Sequence, residues 1–246
     1  TKKAVDNHNL STKPVEPYVG VIHRLDKPVS GVMVYAKTKN AAASLSKQVA
    51  EGKMHKKYLA VLCGKPVDNV EKYVDYLLKD EKENTSRIVD MGIKGGKRAE
   101  LICRALETKP VEPYGELTLA EIELLTGRHH QIRVQMSGHG LPLWGDNRYN
   151  PAFQKGDAAM SGSAAERAAE TGGQEQMEKK KRESGRILLR ERRRSGTGRS
   201  GRALRVDVAL AAYELAFTHP ETGESMIFQH NPSGGIFRQF QMPGQQ

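Results

Sequence analysis

Residues 208–230 read VALAAYELAFTHPETGESMIFQH. Val208 to Phe217 is an apolar run with one charge, Glu214, and Glu224 to His230 is a second, shorter run. His219-Pro220-Glu221-Thr222-Gly223 lies between them and carries a proline and a glycine, so the stretch reads as two antiparallel strands joined by a turn. The ten-residue run is too short for a helix that crosses a bilayer. Upstream, His55 to Cys63 reads as another strand, with Tyr58, Ala60 and Leu62 on one face and Leu59, Val61 and Cys63 on the other. Ala99 to Leu106 and Glu116 to Leu125 are further strand candidates. So are Val19 to Leu25 and Val32 to Ala36, which a Pro-Val-Ser-Gly turn separates. Two stretches have helical spacing. Asn40 to Ala50 places Ala42, Leu45 and Val49 on one face, with Asn40 able to cap the start and Gly52 beyond the end. Arg128 to Gly138 places Ile132 and Met136 one turn apart, with Thr126 available as a cap. Many strands in hairpin order with few helices define an α+β chain, with a mainly antiparallel central sheet flanked by helices and loops. There is no internal repeat.

The 246 residues carry 39 Lys+Arg against 29 Asp+Glu, a net charge of +10. A balance this basic favours a polyanionic partner, nucleic acid first. The charge is concentrated: residues 151–206 hold 14 Lys+Arg and 7 Asp+Glu, so that segment alone carries +7 of the +10. It is poor in aromatics and ends in runs such as Lys179-Lys180-Lys181-Arg182 and Arg192-Arg193-Arg194. It is expected to be a basic low-complexity insertion, either a solvated expansion or an arm that follows phosphates without reading bases. Residues 1–17 are expected to be a flexible lead-in. Thr-Lys-Lys opens the chain without an apolar stretch, so no signal peptide is read there. Cys63 and Cys103 form no CxxC pair, which suits a reducing compartment and argues against a disulfide scaffold.

Three polar stretches lie beside apolar strands. In His23-Arg24-Leu25-Asp26-Lys27-Pro28, Asp26 falls where a strand ends and a turn begins, between two cations; it reads as a turn-forming residue or as a catalytic carboxylate. In His55-Lys56-Lys57-Tyr58, Tyr58 offers either core packing or a flat surface for a base, with a hydroxyl for proton transfer. In Thr126-Gly127-Arg128-His129-His130-Gln131-Ile132-Arg133, a helix opens with cationic side chains, a setting suited to phosphate or carboxylate, or simply to a solvated face. His129 and Arg133 share a face there. Adjacent His129 and His130 point to different helix faces and HExxH is absent, which argues against a metal. No P-loop and no GxSxG occurs, and the GxGxxG at residues 196–201 has no strand before it.

Taken in order, HRLDKPVSGVMVYAKT, HKKYLAVLCG, TGRHHQIRVQMSGHGLPLWGDNRY and LAAYELAFTHPETGE resemble the successive motifs of the RluA-type pseudouridine synthases. The resemblance spans residues 19–150 and 208–240. It implies the pseudouridine synthase fold over residues 18–246, interrupted by the insertion at 151–206. It also implies an enzyme that converts uridines of ribosomal or transfer RNA to pseudouridine, by glycosidic cleavage and reattachment through C5, without cofactor or metal. Asp26 would be the essential aspartate, attacking ribose C1′ or deprotonating C2′. Tyr58 would stack on the flipped base, and Arg133 would pair with the aspartate. His23, Arg24, Arg128, His130 and Gln131 would bind the substrate, with Arg24 and Arg128 as phosphate or structural contacts. The setting implied is a cytoplasmic monomer bound to RNA, with no membrane.

These residue types suit the chemistry. Glycosidic cleavage develops positive charge on the sugar, which a carboxylate stabilises. The base must also leave its stack, at a cost of a few kcal/mol. The sequence departs from the family at Val29, where Thr is usual, at His129, where Thr or Ser is usual, and at Gln135, where His is usual. An Asn-Lys-Pro-x-Gly motif upstream of HRLD is not found, as expected for a truncated N-terminus. Two other readings compete: a catalytically silent RNA-binding or ribosome-assembly protein, and a glycosidase pairing Asp26 with Glu121 or Glu123.

Overall fold

The computed structural model describes residues 17–153 and 206–244. The expected lead-in, all but its last residue, and almost all of the basic insertion lie outside the described residues. In chain order the elements are β1 (Gly20–Val21), β2 (Ser30–Gly31), β3 (Tyr35–Ala36), α1 (Lys39–Ala50), β4 (His55–Cys63), β5 (Val70–Asp80) and β6 (Thr85–Val89). They continue with β7 (Lys97–Pro110), β8 (Glu116–Leu124), α2 (Gln131–Gly138), β9 (Leu210–Thr218) and β10 (Ser225–Gln229). The main sheet runs β10-β9-β4-β8-β7-β5-β6, antiparallel throughout, with β2 added in parallel beside β9; β1 and β3 form a separate ladder. This is the expected α+β architecture.

The two-faced pattern of β4 explains its place inside the sheet. Leu59 and Val61 join Leu117, Leu119, Ala211 and Phe237 in a core on one side. Ala60 and Leu62 join Ile122, Leu143 and the α2 residues Ile132 and Met136 on the other, with Tyr58 packed against that second core. Each such leucine or valine contributes about 1.5–3 kcal/mol by leaving water. The β9–β10 hairpin is observed as expected, closed by the His219 amide on the Glu224 carbonyl at 2.7 Å.

Several boundaries differ from expectation. Of Val19 to Leu25 only Gly20–Val21 pairs as a strand; residues 22–29 form a loop, in which Pro28 has no amide hydrogen and the Asp26 carbonyl accepts from the Val29 amide at 2.8 Å. The β5–β6 hairpin was not expected, because VEKYVDYLLKD mixes charge into both faces and buries only Tyr73 and Leu77 fully. Helix α1 is capped by Thr38, whose Oγ1 accepts from the Ala41 amide at 3.1 Å, and Asn40 lies inside it. Helix α2 starts at Gln131 rather than Arg128, because His130 takes a left-handed conformation (φ 53°, ψ 26°) that an α-helix cannot include. Thr126 is not its cap: its hydroxyl accepts from the Glu100 amide and donates to Gln131 Oε1, each at 2.8 Å.

Gly31 docks the loop that carries Asp26 onto the sheet. It pairs with Ala212, has φ +125°, and a Cβ there would stand 2.1 Å from the Ala212 carbonyl oxygen. Only glycine allows this approach. Gly31→Ala is therefore expected to lower stability by about 1–3 kcal/mol. It should also speed hydrogen exchange at the Val32 amide, which donates to Ala212 at 3.0 Å. Thermal melts and exchange mass spectrometry check both; wild-type exchange at Val32 would show that the contact is not needed.

Candidate active site

The loop after β1, the bulge in β4, and α2 with the loop that follows it converge on one side of the sheet. Asp26 comes from the first, and its side chain is 31% exposed. Arg133 comes from α2; its side chain is only 5% exposed, and Nη1 stands 3.5 Å from Asp26 Oδ2. Tyr58 sits where the β4–β9 register shifts, between Lys57 and Tyr58, and is packed against the core. Burial, reinforced by the nearby Asp26 charge, pushes its phenol up to about 12. Tyr58 is thus a neutral ring beside the carboxylate at ordinary pH. The three residues expected to carry the chemistry are brought together.

The direction of Arg133 is set by a residue that the sequence reading did not single out. Nε and Nη2 donate to the two carboxylate oxygens of Asp146, each at 2.7 Å, and the Asp146 side chain has no exposure. This fork leaves Nη1 to face Asp26. Burial alone would raise the Asp146 carboxyl; the hydrogen bond and charge of Arg133, with the amides of Arg148 and Tyr149, hold it below its ordinary value instead. Burial would likewise lower the Arg133 guanidinium, and Asp146 and Asp26 raise it. Gly145, in the same loop, has φ +76° and lies so close to Asp207 that a Cβ would be 2.3 Å from its carbonyl oxygen. The chain therefore returns from residues 151–206 directly against the loop that holds Asp146.

The other expected site residues divide. His130 is buried, with Nε2 3.7 Å from Asp26 Oδ2 and Nδ1 2.7 Å from the Tyr149 hydroxyl. Burial lowers its pKa to about 4, and Arg133 and the neighbouring His129 add to this against the pull of Asp26. Gln131 is buried and supports the loop: Oε1 accepts from the Arg128 amide at 2.9 Å and Nε2 donates to the Glu100 carbonyl at 3.0 Å. His23 accepts from the Val34 amide through Nε2 at 3.3 Å, fixing the segment before Asp26; burial, then Lys56, lowers its pKa to about 4. Arg24 is exposed next to this segment. Arg128 is exposed and donates from Nε to the Arg98 carbonyl at 2.8 Å. His129 lies outside α2, so it does not share a helix face with Arg133. It stacks on His130 with ring centroids 3.7 Å apart, and Nδ1 meets Ser86 Oγ at 2.9 Å.

Glu121 and Glu123 do not join Asp26. They project from β8 on the face opposite Ile122, which packs in the Tyr58 core, and they meet Lys57 at 3.7 Å and His55 at 3.9 Å. This removes the carboxylate pair a glycosidase would need. Gln135 is fully buried, and Nε2 donates to Asp75 at 2.7 Å. Among the described residues no group of three or more His, Cys, Asp or Glu is placed to hold a metal ion, and no helix is long and apolar enough to cross a membrane.

Asp146, Tyr149 and Ser86 are the site residues that sequence reasoning missed. The first two stand in WGDNRY, a Gly-containing loop just past a helix, where an acid is within reach of a helix-borne arginine.

An antiparallel sheet with an aspartate, an arginine and a tyrosine at one mouth is the arrangement that the four motifs implied; comparison with known proteins bears on the family and the fold. The chain belongs to the RNA pseudouridylate synthase family, whose sequence profile matches residues 2–138, more than half of the chain. It is 30% identical over 226 residues to ribosomal large subunit pseudouridine synthase C of Escherichia coli K12, covering 92% of this chain and 56% of that protein. It is 33% identical over 150 residues to ribosomal large subunit pseudouridine synthase D of Zymomonas mobilis, covering 61% of this chain and 45% of that protein. The chain thus spans about half the length of these curated relatives. Human RNA pseudouridylate synthase domain containing 1 shares the fold, with a TM-score of 0.57, 21% identity, and coverage of 87% of this chain and 69% of that one.

Proposed function

We propose that this chain isomerises uridine to pseudouridine in RNA, with large-subunit ribosomal RNA as the substrate class. The observation that carries the reading is the Asp26 carboxylate, open to solvent on one side and faced on the other by an arginine that Asp146 holds in place. In the reaction, the bond from C1′ to N1 breaks and a bond from C1′ to C5 forms, while the C5 proton leaves and N1 gains one. Asp26 serves this by attacking C1′ or by taking the C2′ proton; both need a directed carboxylate against the ribose. Tyr58 supplies a neutral ring on which the extruded uracil can stack while it turns, and the apolar wall behind it limits water. The ribosomal substrate is supported by the names of the relatives. The two free thiols suit a reducing compartment such as the cytoplasm, and we take the protein as a monomer with residues 18–246 as one catalytic domain around the 151–206 insertion.

The direct test is incubation of the purified chain with unmodified ribosomal RNA, followed by chemical mapping of pseudouridine. Modification at one or a few uridines supports the reading, and none on ribosomal or transfer RNA overturns it. Phosphate contacts are expected from Arg24 and from the basic segment. Arg24→Ala should raise KM and reduce the salt slope of binding by about one charge. Deleting residues 155–203 should flatten the slope further, with kcat retained. Filter binding across a salt series checks both; unchanged slopes would remove these residues from the RNA interface.

A further inference from the structure

His130 presents a strained backbone, a buried ring and two defined contacts. Its left-handed φ of 53° is costly for a residue with a side chain, and such strain is retained where the surroundings impose it. The residue is 9% exposed, and its ring meets Tyr149 and faces Asp26. Tyr149 Oη meets Nδ1 at 2.7 Å, and the same oxygen accepts from the Ser86 amide on β6 at 2.9 Å. That amide can only donate, so it occupies one lone pair of the phenol. Among the described residues Nδ1 of His130 is the other hydrogen-bond partner of the phenol, and with the phenol as donor Nδ1 accepts. A ring that accepts at Nδ1 carries its own hydrogen at Nε2. Nε2 is the atom that faces Asp26 Oδ2, at 3.7 Å.

We infer that His130 is a second positioning residue for the Asp26 carboxylate, a neutral donor whose Nε2–H is aimed by a relay from Ser86 through Tyr149. The inference rests on the reading of Asp26 as the reacting carboxylate. Arg133 and His130 approach the same oxygen, Oδ2, so Oδ1 is left to face the ribose. The distance of 3.7 Å is longer than a hydrogen bond, and contacts of this kind commonly close when substrate is bound. The groups that face His130 are Asp26, Arg133, His129, Arg148 and Tyr149. Their sum, with burial, keeps the ring uncharged at neutral pH. A neutral donor orients the carboxylate without forming a second full ion pair that would quench its reactivity.

Two substitutions at position 130 carry the same backbone strain and differ in the donor. His130→Gln keeps an N–H near the position of Nε2, and His130→Leu does not. Relative to wild type, His130→Leu is expected to lower kcat roughly a hundred-fold with little change in KM. His130→Gln should recover most of that loss. Tyr149→Phe removes the proton that holds Nδ1 as an acceptor, so the ring can charge more easily. Its kcat should fall at a higher pH on the acid side than that of wild type. The tautomer itself is read from ring-nitrogen NMR shifts on the free chain, which needs no activity. An Nε2–H signal is expected, and Nδ1–H would overturn the inference. Wild-type kcat in His130→Leu, or an equal loss in the Gln and Leu variants, would overturn it too. Absence of activity in the wild-type chain would instead count against the proposed function.

Discussion

Asp26→Asn is expected to abolish pseudouridine formation, lowering kcat by roughly 10^4-fold or more, while RNA affinity changes little. The substitution keeps the shape of the side chain and removes the one group that can either bond to C1′ or take a proton from C2′. The contacts that hold the loop are made by other atoms: the Asp26 carbonyl to the Val29 amide, His23 to the Val34 amide, and Gly31 against Ala212. Loop geometry should therefore survive. Affinity should survive because exposed cations such as Arg24 and Arg128, not Asp26, are suited to phosphates. Single-turnover assays and filter binding on the same preparation separate the two effects. Full activity in the Asn variant would move the catalytic role away from Asp26.

Asp146→Asn should cost about 3–5 kcal/mol of stability and also disable the site. The amide is nearly isosteric, so the loss is not one of packing. It leaves the Arg133 guanidinium buried without its counter-charge, and a net stability of only about 5–15 kcal/mol makes that loss severe. With one oxygen of the fork gone, the guanidinium no longer has a fixed direction, and Nη1 loses its aim at Asp26. A misdirected contact of this size costs roughly a hundred-fold in kcat. The pH dependence follows from the same pair. The folded Asp146 carboxyl is held below its unfolded value, so its stabilisation is complete above the ordinary aspartate range and is lost as pH falls through the folded value. Wild type should weaken in acid accordingly, and the Asn variant should show a shallower acid slope from a lower starting stability. Urea titrations between neutral pH and pH 3 measure this. A variant with the wild-type midpoint at neutral pH would show that the pair contributes little.

The sequence carried the layers of the fold better than its edges. The alternation in β4 was readable because both of its faces are apolar, and the β9–β10 pair because HPETG can be neither strand nor helix. The β5–β6 hairpin was hidden because five of the eleven β5 residues are Lys, Glu or Asp, and only Tyr73 and Leu77 of that strand are buried. Within the site, Asp26, Tyr58 and Arg133 stood in polar stretches beside apolar strands, and only the family resemblance gave them roles. Their mutual arrangement was not legible, because it depends on contacts without a period. Asp146 reaches Arg133 across 13 residues from a loop, and Tyr149 ties His130 to an amide on β6 that lies 63 residues upstream of it. Nor does the pattern around Arg128 announce that His130 turns left-handed and delays the helix. The same twist takes His129 off the helix and makes Gln131 its first residue, with the Gln131 side chain bonded to the Arg128 amide and the Glu100 carbonyl.

The most direct measurement is a map of pseudouridines, by chemical labelling and sequencing, in ribosomal RNA exposed to the wild-type chain and to Asp26→Asn. A discrete large-subunit uridine converted by the first and untouched by the second is the predicted result. Identical maps with both proteins, modified or unmodified, would contradict the assignment of Asp26 as the reacting group of an RNA pseudouridine synthase.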